Sequence, residues 1–371
     1  MKILEVCVEL DGGGIDRYLY NYCTKIKDVQ FDFVVVDEGS KKGMLEDSIK
    51  SLGSNIFRVS PLRNGLRRNY NQLLSIMKCG NYDAVHSHLG YKSFVALKCA
   101  KECGIKTRIA HAHISFEPES FLKKIIRRIC TKRTIRYSTN LVACGIKAAK
   151  WVWGESAFKN GLVTIHNNAI PTDLFAFNKN ERDYYRQKFN LADGLVFGNV
   201  GRIGPQKNQI RLISIFNEIH KINKNVSLLL IGSDETNGEC KKAVDEFGLQ
   251  ASVHFLGVRD DVNRLFNAFD CFIFPSVYEG LPFTLIEAEC NGVPILYSES
   301  ITEEVLFNCN VLRMSLNLSD KEWAIAALKV TELGRDDNGR LNVISHGYDL
   351  NIESKKLNDF YINEVKKNDC E

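Results

Sequence analysis

No run of about 18 apolar residues, the length a membrane-spanning helix needs, occurs among the 371 residues. The chain is therefore not expected to cross a membrane. The opening MKILEVCVEL is broken by Glu5 and Glu9, and reads as a first strand rather than as a secretory signal. Cys-x-x-Cys is absent; the 12 cysteines are scattered, with Cys99 and Cys103 the only close pair. Scattered cysteines point to reduced thiols in a cytoplasmic protein rather than to a disulfide framework. Asp-x-Asp is absent as well, so no acidic motif of that kind marks a metal site. Low-complexity tracts are missing, which leaves the composition of an ordinary globular chain.

At this length two domains are expected. The net charge is only +4, but it is unevenly spread. Residues 1–180 hold 28 Lys and Arg against 16 Asp and Glu, and the remainder 21 against 29. A basic first half is expected to face something anionic, nucleic acid or the inner leaflet of a membrane being the candidates.

Short β-rich runs alternate with helical spacing throughout. ILEVCV (3–8), FDFVVVD (31–37), NIFRV (55–59), DAVHSH (83–88), TRIAHA (107–112) and NLVAC (140–144) form one series. LVFGNVG from Leu195, VSLLLIG (226–232), SVHFLG (252–257), DCFIF (270–274) and VPILY (293–297) form a second. Such alternation predicts an α/β architecture of two tandem, Rossmann-like, doubly wound domains. The expected division is 1–170, a linker at 171–192 whose polar stretch Asn178–Asn190 makes the first crossing, 193–345, and a C-terminal helix within 346–371 that could pack back on the first domain. Ligands of open α/β sheets bind at the carboxyl ends of the strands, and a cleft between two such sheets is the expected site.

The densest signal is FPSVYEGLPFTLIE, residues 274–287, which sets Glu279 and Glu287 eight positions apart across a strand–loop–helix turn. Carboxylates suit sugar hydroxyls, and the free N–H groups of a helix start suit a diphosphate. In GRIGPQK (201–207), Arg202 and Lys207 lie at a helix start, where the helix dipole disfavours cations unless a polyanion lies between them. Solvated surface cations are the plain alternative. Asp11-Gly-Gly-Gly14 follows the first strand and would bring backbone close to a phosphate or sugar. It also resembles part of a dinucleotide fingerprint, with Asp37 at the ribose position, but Arg17 stands where a third glycine is needed. His86 and His88, then His111 and His113, follow the fourth and fifth strands. Alternate positions at a strand end are taken to diverge, and no carboxylate is near in sequence, so a single histidine lining the cleft is expected rather than a metal site. In 121–133, Phe121, Leu122, Ile125, Ile126, Ile129 and Cys130 form a stripe opposite Lys123, Lys124, Arg127 and Arg128. That helix either packs on the sheet or lies on a membrane surface.

Taken together, GRIGPQKNQIRLI, HFLGVRDDV and DCFIFPSVYEGLPFTLIEAECNGVPI resemble the pattern of family 4 glycosyltransferases of the GT-B fold, particularly those of bacterial capsule and exopolysaccharide synthesis. The resemblance implies retaining transfer from a nucleotide-diphospho-sugar, a UDP-sugar above all, to a glycan acceptor, without a metal ion or other cofactor. It implies Arg202 and Lys207 on the diphosphate, Glu287 on the ribose and Glu279 on the transferred sugar. Gly280, Leu281, Phe283 and Thr284 would surround that sugar, and Gly13 and Gly14 would approach from the first domain. The first-domain histidine falls at His113 or His111, with His113 favoured. Glu289-Cys290-Asn291 is more polar than the family's pattern. A lipid-linked acceptor and peripheral attachment to an anionic membrane face follow from the basic half and the 121–133 stripe. A nucleotide-sugar epimerase, a non-catalytic partner subunit and an NAD-dependent oxidoreductase are the alternatives.

Overall fold

The computed structural model describes residues 1–37, 39, 42–114, 119–191 and 194–370. Two compact units are present, Met1–Ala169 with Leu350–Glu371, and Ile170–Asp349. The first holds strands β1 (Lys2–Cys7), β2 (Gln30–Val35), β3 (Ile56–Arg58), β4 (Ala84–Ser87), β5 (Thr107–Ala112), β6 (Asn140–Ala143) and β7 (Val163–Ile165) in the order β3-β2-β1-β4-β5-β6-β7. The second holds β8 (Leu195–Val200), β9 (Val226–Ile231), β10 (Val253–Gly257), β11 (Cys271–Phe274), β12 (Ile295–Ser298) and β13 (Val311–Met314) in the order β10-β9-β8-β11-β12-β13. The described pairings within both sheets are parallel.

Parallel strands covered on both faces need nearly continuous apolar runs, and VSLLLI at β9 and CFIF at β11 supply them. In the second unit Phe197, Phe216, Leu228, Leu230, Ile273 and Trp323 pack into one buried cluster. In each unit the strand order reverses at the first strand, between β1 and β4 and between β8 and β11. The loops leaving those strands therefore diverge and open a crevice at their carboxyl ends. β7 and β13 are edge strands of 3 and 4 residues that the sequence pattern does not single out. Neither is long enough to show a period.

Residues 171–191 are not a free linker. Asn178 caps the helix Lys179–Lys188 by accepting from the N–H groups of Asn180 and Glu181. From that helix Arg182 and Arg186 both grip Asp270, and Tyr185 donates to Asp261 at 2.6 Å. The polar stretch expected to make the crossing is thus a clamp on the start of β11, because Arg182 and Arg186 are both paired with Asp270. The C-terminal helix, Leu350–Cys370, groups with the first unit, where Leu357 and Tyr361 are buried.

Candidate functional site

The second unit brings its two motif loops together at the β8–β11 crevice. The loop after β8 crosses Gly232 so closely that a Cβ on Gly232 would lie 2.0 Å from the Gly201 carbonyl oxygen. Both glycines have positive φ, +141° and +143°, which only glycine adopts readily. Asn199 and Gln209 hold the loop from below: Gln209 Nε2 donates to Asn199 Oδ1 and to the Arg202 carbonyl, both at 3.1 Å, and Asn199 Nδ2 donates to the Ile273 carbonyl at 2.8 Å. The loop after β11 is tied to it by Val277 N–H to the Gln206 carbonyl at 2.8 Å and by Gln206 Nε2 to the Tyr278 carbonyl at 3.0 Å.

Lys207 Nζ consequently sits 2.8 Å from Glu279 Oε1, with side-chain exposures of 16% and 8%, and 4.6 Å from the Phe274 ring centroid. Lys207 is not a solvated surface cation. Arg202 is, at 65% exposure, with Glu235 3.8 Å away. Leu281 and Phe283 are buried, and the helix Phe283–Asn291 starts after Pro282 and ends at Gly292 in the left-handed region. Glu287, one turn in, is half-buried. The Thr284 hydroxyl at the helix start and the Ser276 hydroxyl in the loop after β11 are buried without a hydrogen-bond partner, which leaves polar capacity at both places. Glu289 is enclosed; the N–H groups of Phe307 and Asn308 donate to it, and burial pushes its carboxyl up to about 8. The polar triplet Glu289-Cys290-Asn291 thus satisfies neighbouring backbone.

In the first unit the glycine loop differs from expectation. The N–H groups of Gly12 and Gly13 both donate to Asp16 Oδ2, at 3.0 and 2.9 Å. A carboxylate of the chain's own occupies the donors that a phosphate would use, and burial raises Asp16 to about 6. Gly14 begins the helix Gly14–Lys25, on which Arg17 is exposed.

The four histidines also depart from expectation. Positions two apart on a strand share a face, so His86 and His88 lie side by side, with ring centroids 4.1 Å apart, and His111 and His113 likewise at 4.0 Å. The missing carboxylate is Glu5, which is paired with His86 in the β1–β4 register. His88 Nε2 is 2.7 Å from Glu5 Oε2 and His88 Nδ1 is 2.8 Å from His113 Nε2. His86 Nδ1 is 2.6 Å from the Tyr361 hydroxyl and its Nε2 is 3.1 Å from His111 Nδ1. Ligand atoms of His86, His88 and His111 lie within 4.8 Å of one another, yet both nitrogens of His86 and of His88 are already hydrogen-bonded. Burial pushes Glu5 up to about 8 and His88 down to about 3, so the cluster is a set of neutral groups at neutral pH. His113, 9% exposed, is the least buried of the four.

The basic helix, Phe121–Tyr137, does not bury its stripe. Phe121 is 81% exposed, Leu122 66%, Ile126 49% and Ile129 48%, and Thr134 is its buried residue. Arg127 is drawn off the basic face: it forks onto Glu119 at 2.7 and 3.0 Å and lies over the Trp151 ring. Among the described residues no helix is long and apolar enough to cross a membrane.

The model of the family described as glycosyl transferases group 1 matches residues 181–313, the segment that carries both motif loops. The Bacillus subtilis (strain 168) protein EpsF, which bears a glycosyltransferase name, is 30% identical over 343 residues, spanning 90% of this chain and 88% of that one. The chain belongs to the group 1 glycosyl transferases. This glycosyltransferase is also 23% identical over 371 residues to the Escherichia coli UDP-Gal:alpha-D-GlcNAc-diphosphoundecaprenol alpha-1,3-galactosyltransferase, covering 95% of this chain and 94% of that enzyme. Its fold is that of Anabaena Alr3699/HepE, solved in complex with UDP, with a TM-score of 0.81 at 17% identity over 98% of this chain and 100% of that one. The two parallel-sheet, Rossmann-like units are the GT-B architecture anticipated from the alternating pattern.

Of the residues singled out in the sequence, Lys207 and Glu279 meet directly, with Gln206 beside them. Gln206, Asn199, Glu5 and Tyr361 were not singled out. Glu5 carried a signal, a lone acid in an otherwise apolar strand. Tyr361 carried none, since its partner lies 356 residues away.

Proposed function

We propose that the protein is a retaining glycosyltransferase that moves a sugar from a nucleotide-diphospho-sugar, a UDP-sugar, to a lipid-linked glycan acceptor in bacterial surface-polysaccharide synthesis. The observation that carries this reading is the Lys207–Glu279 pair at 2.8 Å, held at the start of the helix that presents Thr284 and Glu287. A diphosphate entering that crevice would draw Lys207 from Glu279, with Arg202 at the rim, and the freed carboxylate would accept from sugar hydroxyls. Glu287 would accept from the ribose. Charge that develops on the leaving diphosphate would meet fixed cations and helix N–H groups, so that a metal ion is not required for it. His113 would contact the donor sugar. The UDP complex of HepE and the lipid diphosphate acceptor in the name of the E. coli relative support the donor and acceptor classes.

We assign the exposed Phe121–Arg133 stripe to an anionic membrane face. Lys123, Lys124, Arg128 and Lys132 flank apolar side chains that nothing described covers, and such a surface suits acidic headgroups. Attachment there would place the protein peripherally at the cytoplasmic face, where a lipid-linked acceptor is presented.

Calorimetric titration with UDP, GDP, ADP and NAD, with and without magnesium, tests the donor class. Selective binding of UDP without magnesium is the expected result; binding of NAD alone would refute the reading. UDP released from UDP-N-acetylglucosamine without acceptor would identify an epimerase. UDP-sugar binding with no turnover across a panel of lipid-linked acceptors would identify a partner subunit.

A further inference from the structure

A polar layer lies in the interior of the first unit. Glu5 comes from β1, His86 from β4 and His88 from just beyond its end, His111 from β5 and His113 from just beyond its end. Tyr18 covers them from the helix Gly14–Lys25, and Tyr361 from the C-terminal helix. Two hydrogen-bonded chains leave the Glu5 carboxyl. One runs from Oε2 to His88 Nε2 (2.7 Å) and from His88 Nδ1 to His113 Nε2 (2.8 Å). In the other, the Tyr361 hydroxyl donates to Oε1 at 3.2 Å and meets His86 Nδ1 at 2.6 Å, and His86 in turn meets His111.

A neutral imidazole has one donor and one acceptor nitrogen. With both nitrogens of His88 engaged, the first chain has only two polarities. We propose that Glu5 and His88 are positioning residues that set which ring nitrogen of His113 carries the proton, and hence whether His113 offers its ligand a donor or an acceptor. This rests on the reading that His113 faces the donor sugar, and deepens it.

The two protonation states of the Glu5 carboxyl give the two polarities. When the carboxyl is protonated, its O–H donates to His88 Nε2, His88 Nδ1–H donates to His113 Nε2, and His113 keeps its proton on Nδ1. When the carboxyl is ionised, both hydrogen bonds reverse: His88 Nε2–H donates to Glu5, His113 Nε2–H donates to His88 Nδ1, and His113 Nδ1 is a bare acceptor. One proton leaves the chain, and no bond between heavy atoms changes. Glu5 titrates near 8 because it is buried, and His88 stays neutral for the same reason. The other titratable groups that act on the cluster are His86, His111, His166, Tyr18, Tyr361, Cys7 and Cys23. The carboxyl of Glu5 is the one placed on the path to His113. At neutral pH His113 is then an Nδ1–H donor, suited to a sugar hydroxyl or ring oxygen.

The test is nitrogen-15 spectroscopy of the histidine rings in the full, ligand-free chain between pH 6 and 9.5, with His113 assigned by its loss in His113→Gln. The proton is expected on Nδ1 at pH 6.5 and on Nε2 above pH 9. In Glu5→Gln the carboxamide oxygen is expected to accept from the Tyr361 hydroxyl, which turns the amide N–H toward His88 Nε2; the His113 proton should then stay on Nδ1 throughout, and the alkaline transition in the pH profile of kcat/KM should disappear. A His113 tautomer that does not change with pH in the wild-type chain would overturn the proposal, whether or not Glu5→Gln folds. A tautomer that switches as described, beside a His113→Ala variant with unaltered donor KM and kcat, would instead refute the placement of His113 against the sugar.

Discussion

At the scale of single residues, Lys207 and Glu279 carry the sharpest expectations. A charged hydrogen bond to phosphate is worth about 2 kcal/mol, so Lys207→Ala should weaken UDP binding about thirty-fold in calorimetry. On the proposed reading Glu287 would meet the ribose, so Glu287→Ala should weaken UDP binding as well. On the same reading Glu279 would meet the sugar, so Glu279→Gln should lower turnover of the UDP-sugar while UDP alone still binds. Unchanged UDP affinity in both Lys207→Ala and Glu287→Ala would remove the second-unit site. Gly232 makes a different point. A methyl group there would meet the Gly201 carbonyl at 2.0 Å, at a φ of +143°. Gly232→Ala should therefore cost about 1–3 kcal/mol of stability in the second unit and displace the loop that carries Lys207, seen as a lower unfolding temperature together with weaker UDP binding.

Two helices are placed differently from their sequence patterns, for opposite reasons. The polar helix Lys179–Lys188 looks solvated, but Arg182 and Arg186 find Asp270 and nearby carbonyl oxygens. Asp270→Ala would leave two guanidinium groups without their carboxylate and should destabilise the second unit by about 2 kcal/mol, measurable by denaturant unfolding. The helix Phe121–Tyr137 looks like a packed amphipathic helix, but its apolar stripe stays exposed. Reversing Lys123, Lys124 and Arg128 to Glu removes three cations worth about 1 kcal/mol each at an anionic surface, so binding to acidic vesicles should fall about a hundredfold or more. Arg127 is left in place because it holds Glu119 and Trp151. Vesicle binding unaffected by the triple reversal would sink the membrane assignment.

Across the first unit as a whole, the buried ionisable groups predict how stability depends on pH. His86, His88, His111, His113 and His166 are all held below the ordinary 6.5 by burial. A depressed histidine pKa contributes stability above 6.5, and that stability is lost as the pH falls. Glu5, raised from 4.5 to about 8, has the opposite sign: its contribution is complete below 4.5 and is lost as the pH rises through 8. Asp16, raised from 3.8 to about 6, acts like Glu5 in a lower window. At pH 6.5 the five histidines, half protonated in the unfolded chain, still outweigh Glu5, and the balance turns at about pH 7. The first unit should thus be most stable at about pH 7, with loss on both sides and steeper loss on the acid side, read by hydrogen exchange at β1 and β4. A plateau from pH 4.5 to 8 would refute this balance.

Periodicity and turn chemistry act over a few residues, and everything that depends on them was legible in the chain. The alternation of strands and helices, the two parallel sheets, and the loops after β8 and β11 with Lys207, Glu279 and Glu287 belong to that class. So does the helix stop at Gly292, because each of these follows from local backbone preference and burial. Contacts between residues far apart in the chain have no local signature. The convergence of four histidines on Glu5 depends on which strands are neighbours, and the Tyr361 contact depends on where the last helix packs. The capture of the Gly12 and Gly13 N–H groups by Asp16 turned on a side-chain rotamer, although the residues are adjacent. Spacing placed the histidines at strand ends, but register and the shared face of alternate positions brought them into one hydrogen-bonded cluster.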